Sequence, residues 1–170
     1  MTDIGLMHYF LGLEVWQDPG HIFQGQGKYA VDILRRFRME DCRLMYTPMV
    51  TNWKKLHASE GELVDPTLYH QLIGSLMYLV NSRPDFCFAV NTLSQFMVEP
   101  TRVHWVAAKH VLRYLAGTMD YGLDYRRLDG VRLIGFMDSD WVGSVADWKS
   151  TSGCCFSLGS KTMSWFSRKQ

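Results

Sequence analysis

No charge of either sign dominates this chain, whose 18 basic and 17 acidic residues give a formal net charge of +1 over 170 residues. Such a balance argues against a dedicated polycationic nucleic-acid binder, although it is compatible with a local basic patch. We therefore expect any nucleic-acid binding to be weak. The chain also lacks an apolar run near the roughly 18 residues that a membrane span requires, and it opens without a signal peptide, so we expect an intracellular protein without a membrane partner.

Metal-binding patterns of cysteine and histidine are missing as well. The four cysteines show no Cys-x-x-Cys spacing, and the six histidines show none of the spacings typical of zinc ligands. The neighbours Cys154 and Cys155 cannot readily form a disulfide with each other. These features predict reduced thiols in an intracellular setting and argue against a zinc site.

The strongest pattern in the chain predicts three consecutive helices between Asp65 and Gly117. The first begins at the cap and proline pair Asp65-Pro66 and places leucines at 68, 72, 76 and 79 on one stripe. The second begins at Pro84 and ends before Pro100, with buried positions expected at 86, 90, 93 and 97. The third begins at Thr101 and ends where Gly117 can adopt a positive φ.

Two polar helix faces in this block are candidate binding surfaces. On the first helix His70, Gly74 and Tyr78 are spaced four apart and share a face. A helical glycine costs about 1 kcal/mol relative to alanine, so Gly74 indicates either close approach of another molecule to the backbone or tight helix packing. On the third helix, one side carries a row of cations that indicates either phosphate contacts or an ordinary solvated face. That row is Arg102, Lys109 and Arg113.

The segments before the helical block predict a hairpin and a short helix. A strand is expected over 8–15, a turn at 18–20 and a second arm over 21–24, followed by a helix from about Lys28 to Phe37. Residues 42–61 show weak periodicity and predict a connecting loop between parts that move relative to each other.

After Gly117 the apolar period changes to two, which predicts a sheet. Strands are expected at 121–125, 133–137, 153–158 and 162–166, with hairpin turns at 128–131 and 158–161. We expect this sheet to lack the helices that normally cover such a sheet.

A pair of acidic residues follows the second of these strands. Asp138 and Asp140 could bind Mg²⁺ through carboxylate oxygens, although Asp-x-Asp is also common in solvated turns. The two carboxylates point the same way only if the strand continues past Ser139.

Several sequence blocks in a fixed order resemble the polyprotein of copia-type LTR retrotransposons. They include YFLGLEV at 9–15, QGKYAVDILRRFRMEDC at 26–42, YHQLIGSLMYLVNSRPD at 69–85, HWVAAKHVLRYLAGT at 104–118 and DSDWVG at 138–143. The resemblance covers about 9–170 and corresponds to the region where reverse transcriptase ends and ribonuclease H begins.

The resemblance implies an α+β architecture in four parts. These are the end of a reverse transcriptase palm at 1–49, a linker at 50–64, a thumb-like three-helix bundle at 65–118, and the incomplete start of a ribonuclease H-like sheet at 119–170.

The resemblance also implies roles for individual residues. Leu11 and Gly12 match the tip of the hairpin that grips the primer strand, and the face of His70, Gly74 and Tyr78 matches the helix that follows the minor groove of the template–primer duplex. Asp138 matches the first ribonuclease H carboxylate, which binds the catalytic metals.

The resemblance implies that groups needed for catalysis are missing from this chain. The Tyr-x-Asp-Asp turn of the polymerase would lie upstream of Met1, and the remaining ribonuclease H acids beyond Gln170. Two-metal hydrolysis needs several carboxylates, so Asp138 and Asp140 alone would not hold the Mg²⁺ of the intact enzyme stably. We expect no catalysis unless other parts of the polyprotein supply the missing groups.

Two hypotheses remain open from the sequence. The chain is either a fragment of a nucleic-acid-processing enzyme that binds RNA–DNA or DNA duplexes weakly, or a helical retroelement product that does not bind nucleic acid. Charge reversal of the basic row discriminates between them, because only the first hypothesis has duplex binding to lose.

Overall fold

The computed structural model describes residues 5–49, 56, 61–127, 130, 132–139 and 150–169. These residues form four α-helices and two antiparallel sheets. The predicted α+β class is therefore confirmed. The proposed domain boundaries remain a prediction.

The first sheet has four strands in the order β1-β2-β3-β4. Its strands are β1 (Tyr9–Phe10), β2 (Leu13–Asp18), β3 (His21–Gly25) and β4 (Gly122–Arg126). The prediction of one unbroken strand over 8–15 is wrong, because Leu11 and Gly12 have φ values of +48° and +77° and turn the chain back. A two-residue loop with both φ values positive is the tight turn that suits the twist of a hairpin.

The position of β4 corrects the predicted architecture. The strand expected at 121–125 exists, but it pairs with β3 instead of starting the C-terminal sheet, and Gly122 lies opposite Gly25. A Cβ at Gly122 would stand 2.3 Å from the carbonyl oxygen of Gln24, so only glycine permits this close pairing. The chain therefore returns from the helices to complete the N-terminal sheet.

The helices begin where the sequence predicts. They are α1 (Gly27–Arg36), α2 (Pro66–Leu79), α3 (Cys87–Ser94), which follows a 3₁₀ turn at Pro84–Phe86, and α4 (Arg102–Ala116). The Asp65 carboxylate accepts a hydrogen bond of 2.8 Å from the backbone N–H of Thr67, as the cap pattern predicts.

Three details of the helix prediction are wrong. Leu68 is 38% exposed, and its expected buried place on α2 is taken by Tyr69, which is fully buried. Helix α3 ends before Pro100 as predicted, but it already ends at Ser94, so Met97, expected on its buried face, lies beyond the helix and is only partly buried. Gly117 has a φ of −85°, so α4 ends without a left-handed glycine.

The hydrophobic core draws on all four helices. Ile33 of α1, Leu72 and Leu76 of α2, Val90 of α3 and Leu112 of α4 are fully buried in one cluster. Helix α1 therefore packs with the three predicted helices as a fourth member of the bundle. Burial of a side chain of this kind contributes roughly 1.5–3 kcal/mol relative to exposure, so α1 is held to the bundle by packing.

The described part of the predicted connecting loop packs on the bundle. The backbone N–H of Met45 donates to the carbonyl of Arg113 at 3.3 Å, and the Nε2 atom of His110 lies 2.9 Å from the carbonyl of Thr47. Residues 42–49 therefore run along α4. Residues 50–55 and 57–60 lie outside the described part of the chain.

The second sheet has the order β5-β6-β7 and consists of β5 (Leu133–Ser139), β6 (Thr151–Leu158) and β7 (Lys161–Lys169). The turn predicted at 158–161 joins β6 to β7, whereas most of 128–131 lies outside the described residues. The sheet contacts the helices through the amide of Asn91, which donates to the carbonyl of Ser167 at 2.7 Å. Among the described helices, none is long and apolar enough to cross a bilayer.

Arg83 joins several of these elements. The residue is 3% exposed, and its guanidinium donates to the Asp85 carboxylate at 2.7 and 3.0 Å and to the carbonyl and hydroxyl oxygens of Thr118, both at 2.7 Å. The rings of Phe86 and Tyr121 lie 4.4 and 5.3 Å from the guanidinium carbon. A buried charge is stable only with this degree of pairing.

We predict that Arg83→Met lowers the free energy of unfolding by about 3 kcal/mol, because the Thr118 carbonyl loses this donor and the Asp85 carboxylate loses its cationic partner while keeping the Tyr114 hydroxyl at 3.0 Å. The matched control is Arg35→Met, which removes the exposed ion pair with Glu40 (3.0 Å) and should change the same quantity by less than about 1 kcal/mol. Urea unfolding followed by circular dichroism measures both. Equal losses in the two variants would refute the special role of Arg83.

A second buried polar group, His104, caps the start of α4. Its Nδ1 atom accepts from the backbone N–H of Thr101 at 2.9 Å, and its Nε2 atom lies 3.0 Å from the carbonyl of Leu56. Its ring stacks on that of Phe96 with 3.9 Å between centroids. Burial lowers the pKa of His104, and the hydrogen bond to the Leu56 carbonyl opposes this only in part. The folded protein therefore favours the neutral imidazole more than the unfolded chain does.

Because the unfolded chain binds a proton at His104 more readily than the folded chain, the stability from this residue is present above pH of about 6.5 and is lost as the pH falls below it. We expect the unfolding free energy to decrease between pH 7.5 and 5.5, and we expect His104→Gln to flatten that decrease. Urea titrations at several pH values measure the slope. An equal slope in the unmodified chain and in the His104→Gln chain would contradict this assignment.

Candidate nucleic-acid interface

The tip of the β1–β2 hairpin lies against α2. The hydroxyl of Tyr78 donates a hydrogen bond to the carbonyl of Leu11. Gly12 also lies close to Tyr78, because a Cβ built at Gly12 would stand 2.8 Å from the same hydroxyl oxygen. Leu11, Gly12 and Tyr78, which the resemblance assigns to nucleic-acid binding, therefore lie together, and both Leu11 and Gly12 contact Tyr78.

Helix α1 lies beside the same face of α2. The ring of Tyr29 meets that of Tyr78 edge-on, with centroids 4.9 Å apart, and its hydroxyl donates to the carbonyl of Ser75 at 3.4 Å. The guanidinium of Arg36 donates to the Ser75 hydroxyl at 3.5 Å. A tyrosine pair of this geometry adds roughly 0.5–1.5 kcal/mol beyond its buried area.

The remaining candidates on α2 are exposed. The Nε2 atom of His70 lies 2.8 Å from the carbonyl of Met97, while a Cβ at Gly74 would have nothing within 4 Å beyond its own helix. Tight packing therefore does not explain Gly74, and the helix backbone there is open to an approaching molecule.

The hairpin tip itself is apolar and exposed. The exposed fractions are 60% for Tyr9, 53% for Phe10 and 72% for Leu11. Side chains of this kind are unusual on a free surface and commonly mark contact sites. We call the combined surface of the hairpin tip and the open α2 face the tip–helix surface; it consists of Tyr9, Phe10, Leu11, Gly12, His70, Gly74 and Tyr78.

The predicted basic row on α4 is less uniform than its spacing suggests. Arg102 is exposed and lies 3.4 Å from the carboxylate of Glu62. Lys109 is half-buried, with its ammonium 5.4 Å from the ring of Trp105. The Nε atom of Arg113 is buried without a hydrogen-bond partner among the described residues. Of these three cations, only Arg102 is therefore exposed to solvent without partial burial.

Two cations beside the tip–helix surface were missed by the sequence analysis. Lys28 stands 5.6 Å from the ring of Tyr9 and 3.3 Å from the carboxylate of Glu14, and Arg36 lies beside Ser75, next to Gly74. Both belong to α1, and the sequence of this helix has no pattern that indicates a binding surface. Only the packing of α1 beside α2 brings them to this face.

The candidate metal ligands are placed only in part. Asp138 lies on the exposed edge strand β5 opposite Gly153, and it borders an open cavity of about 470 Å³ between the second sheet and the start of α3. Asp140 lies outside the described residues. Within the described part of the chain, no group of three His, Cys, Asp or Glu side chains could hold a metal ion. The described residues therefore do not fit a two-metal site.

The chain is similar in sequence to retrotransposon polyproteins. Over 164 residues the chain is 43% identical to the retrovirus-related Pol polyprotein from transposon RE2 of Arabidopsis thaliana and 42% identical to that from transposon RE1, matching 96% of this chain in each case. Over 170 residues it is 38% identical to an uncharacterized mitochondrial protein of the same plant, of which it covers 70%.

The chain belongs to the retrovirus-related Pol polyproteins of copia-type transposons. It spans 11% of the length of the RE1 and RE2 polyproteins. No family model matches this Pol segment, and no solved structure matches it significantly.

Proposed function

We propose that this Pol segment is the part of a reverse transcriptase that holds the template–primer duplex, followed by the first strands of a ribonuclease H domain. By itself it binds RNA–DNA or DNA duplexes weakly and catalyses no reaction. The observation that carries the proposal is the contact of the hairpin tip with Tyr78 of α2, one turn from the open helix backbone at Gly74. A helix without a side chain at that point can lie close to the sugar edges of a minor groove.

The charges around this surface support the proposal and limit its strength. Lys28 and Arg36 flank the tip–helix surface, and Arg102 is exposed on α4. Each cation that meets a phosphate releases counterions and so strengthens binding at low salt. The net charge of +1 provides no wider field to add to these contacts, which is why we propose weak binding.

The absence of catalysis is part of the proposal. The sequence contains no Tyr-x-Asp-Asp turn, and Asp138 is the one described carboxylate at the matching ribonuclease H position. In the intact enzyme Mg²⁺ ions would polarise the phosphodiester and activate water. Asp138 would be one ligand among several, so we propose that the remaining ligands come from other parts of the polyprotein.

Gly74→Ala provides a test with opposite signs for stability and binding. The new Cβ enters open space in a helix interior, so we predict that the unfolding free energy rises by about 1 kcal/mol. Binding to a labelled RNA–DNA hybrid should nevertheless weaken severalfold, because the methyl group prevents close approach. Anisotropy titration measures the affinity. Ala107→Gly, at a buried position of α4, is the control: it should lower stability without this loss of binding by the folded chain.

A salt series tests the cations. We predict that the logarithm of the hybrid-binding constant falls linearly with the logarithm of salt concentration, and that Arg36→Glu and Arg102→Glu each weaken binding and lower the slope by roughly 1. The control is Arg127→Glu, an exposed arginine beside Gly20 at the opposite end of the first sheet from the hairpin tip. It should leave the slope unchanged.

Two results of this series would contradict the proposal. Equal losses in all three variants would indicate general charge attraction without a defined surface. Absence of binding at the lowest salt concentration would favour the alternative, a helical retroelement product that does not bind nucleic acid.

A further inference from the structure

We propose that Tyr78 is a positioning residue that clamps the tip of the β1–β2 hairpin to α2, and that it does not itself contact nucleic acid. The clamp sets the angle between the hairpin tip and the open helix face at Gly74. This inference rests on the proposed function for its purpose, but the clamp can be measured without any nucleic acid.

The geometry of the hydroxyl supports this role. The Tyr78 hydroxyl donates its proton to the carbonyl of Leu11, 67 positions earlier in the chain. Its one proton is therefore already used within the protein. The ring is fixed from the side by Tyr29, whose own hydroxyl bonds the α2 backbone at Ser75. Tyr78 is thus held in place by α1 and α2 together.

The backbone at the hairpin tip needs such support. Leu11 has a φ of +48°, a left-handed conformation that residues with a Cβ adopt with strain. A strained residue at an exposed turn persists only where neighbouring contacts hold it, and the Tyr78 hydroxyl bonds the carbonyl of this same residue. The clamp therefore acts where the hairpin is least stable by itself.

The base of the hairpin has its own anchor. Glu14 of β2 is 8% exposed, and its carboxylate accepts from the backbone N–H of Lys28 at 3.1 Å, in the first turn of α1. A carboxylate at this end of a helix is favoured by the helix dipole. With Glu14 holding the base and Tyr78 holding the tip, the short hairpin has two fixed points, and the exposed Tyr9 and Phe10 project from a preset position.

The experiment compares Tyr78→Phe with the unmodified chain by hydrogen exchange in the absence of nucleic acid. Loss of the hydroxyl removes one hydrogen bond, so we expect amides of residues 10–13 to exchange roughly fivefold faster while those of α2 are unchanged. Hybrid affinity should fall by a similar factor without a change in the unfolding midpoint. Tyr46→Phe is the control, because Tyr46 is 96% exposed, and it should change neither quantity.

A double-mutant cycle tests the contact independently. Gly12→Ala puts a Cβ 2.8 Å from the Tyr78 hydroxyl oxygen, so it should destabilise the unmodified chain more than the Tyr78→Phe chain. Gly20→Ala has a comparable positive φ of +85°, but its Cβ would meet only the Arg127 Cβ at 3.7 Å. Its effect should be the same in both backgrounds, which separates backbone strain from the contact with Tyr78.

The outcomes separate the clamp from the proposed function. Weaker hybrid binding with unchanged exchange at the tip would mean that Tyr78 contacts the duplex directly, and it would overturn the inference. Faster exchange with unchanged affinity would overturn the positioning role. If the unmodified chain binds no hybrid at all, the proposed function fails, and the exchange data and the cycle alone decide whether the clamp exists.

Discussion

The arrangement of the molecule depends on one buried guanidinium. Arg83 sits between the end of α2 and the start of α3, and it reaches Thr118 beyond the end of α4. A charged group this deeply buried tolerates few geometries, because each lost partner exposes an unpaired charge to a low-dielectric interior. Its pairing therefore fixes the relative positions of the ends of three helices. Apolar packing alone would define these positions less strictly.

The same point in the chain also connects the helices to the first sheet. Ser82, next to Arg83, donates at 2.6 Å to the side-chain oxygen of Gln26, the residue that precedes α1. Tyr121, over which the guanidinium stacks, leads directly into β4. The hairpin sheet and the helical core are thus joined at Arg83 and its neighbours. Since the hairpin tip must meet α2 from the sheet side, this junction is a precondition for the tip–helix surface.

The sequence predicted those features whose causes are local. The starts of α2 and α4, and of the 3₁₀ turn that leads into α3, agree with the sequence because a cap aspartate, a cap threonine and a proline act within one helical turn. The errors arose where distant residues decide. The pairing of β4 with β3 depends on contacts about 100 positions apart, and the termination of α4 at Gly117 is governed by Thr118 and Arg83, so the glycine does not need a positive φ.

The candidate site shows the same division. Helical spacing placed Gly74 and Tyr78 on one face correctly, because the period of the helix determines which residues share a side. It could not reveal what lies against that face. The hairpin tip contacts Tyr78 and leaves Gly74 open, and α1 adds two cations that no local pattern had indicated. The two residues therefore have different roles: Tyr78, although partly exposed, bonds the hairpin tip, and Gly74, one turn away, is where another molecule can reach the helix backbone.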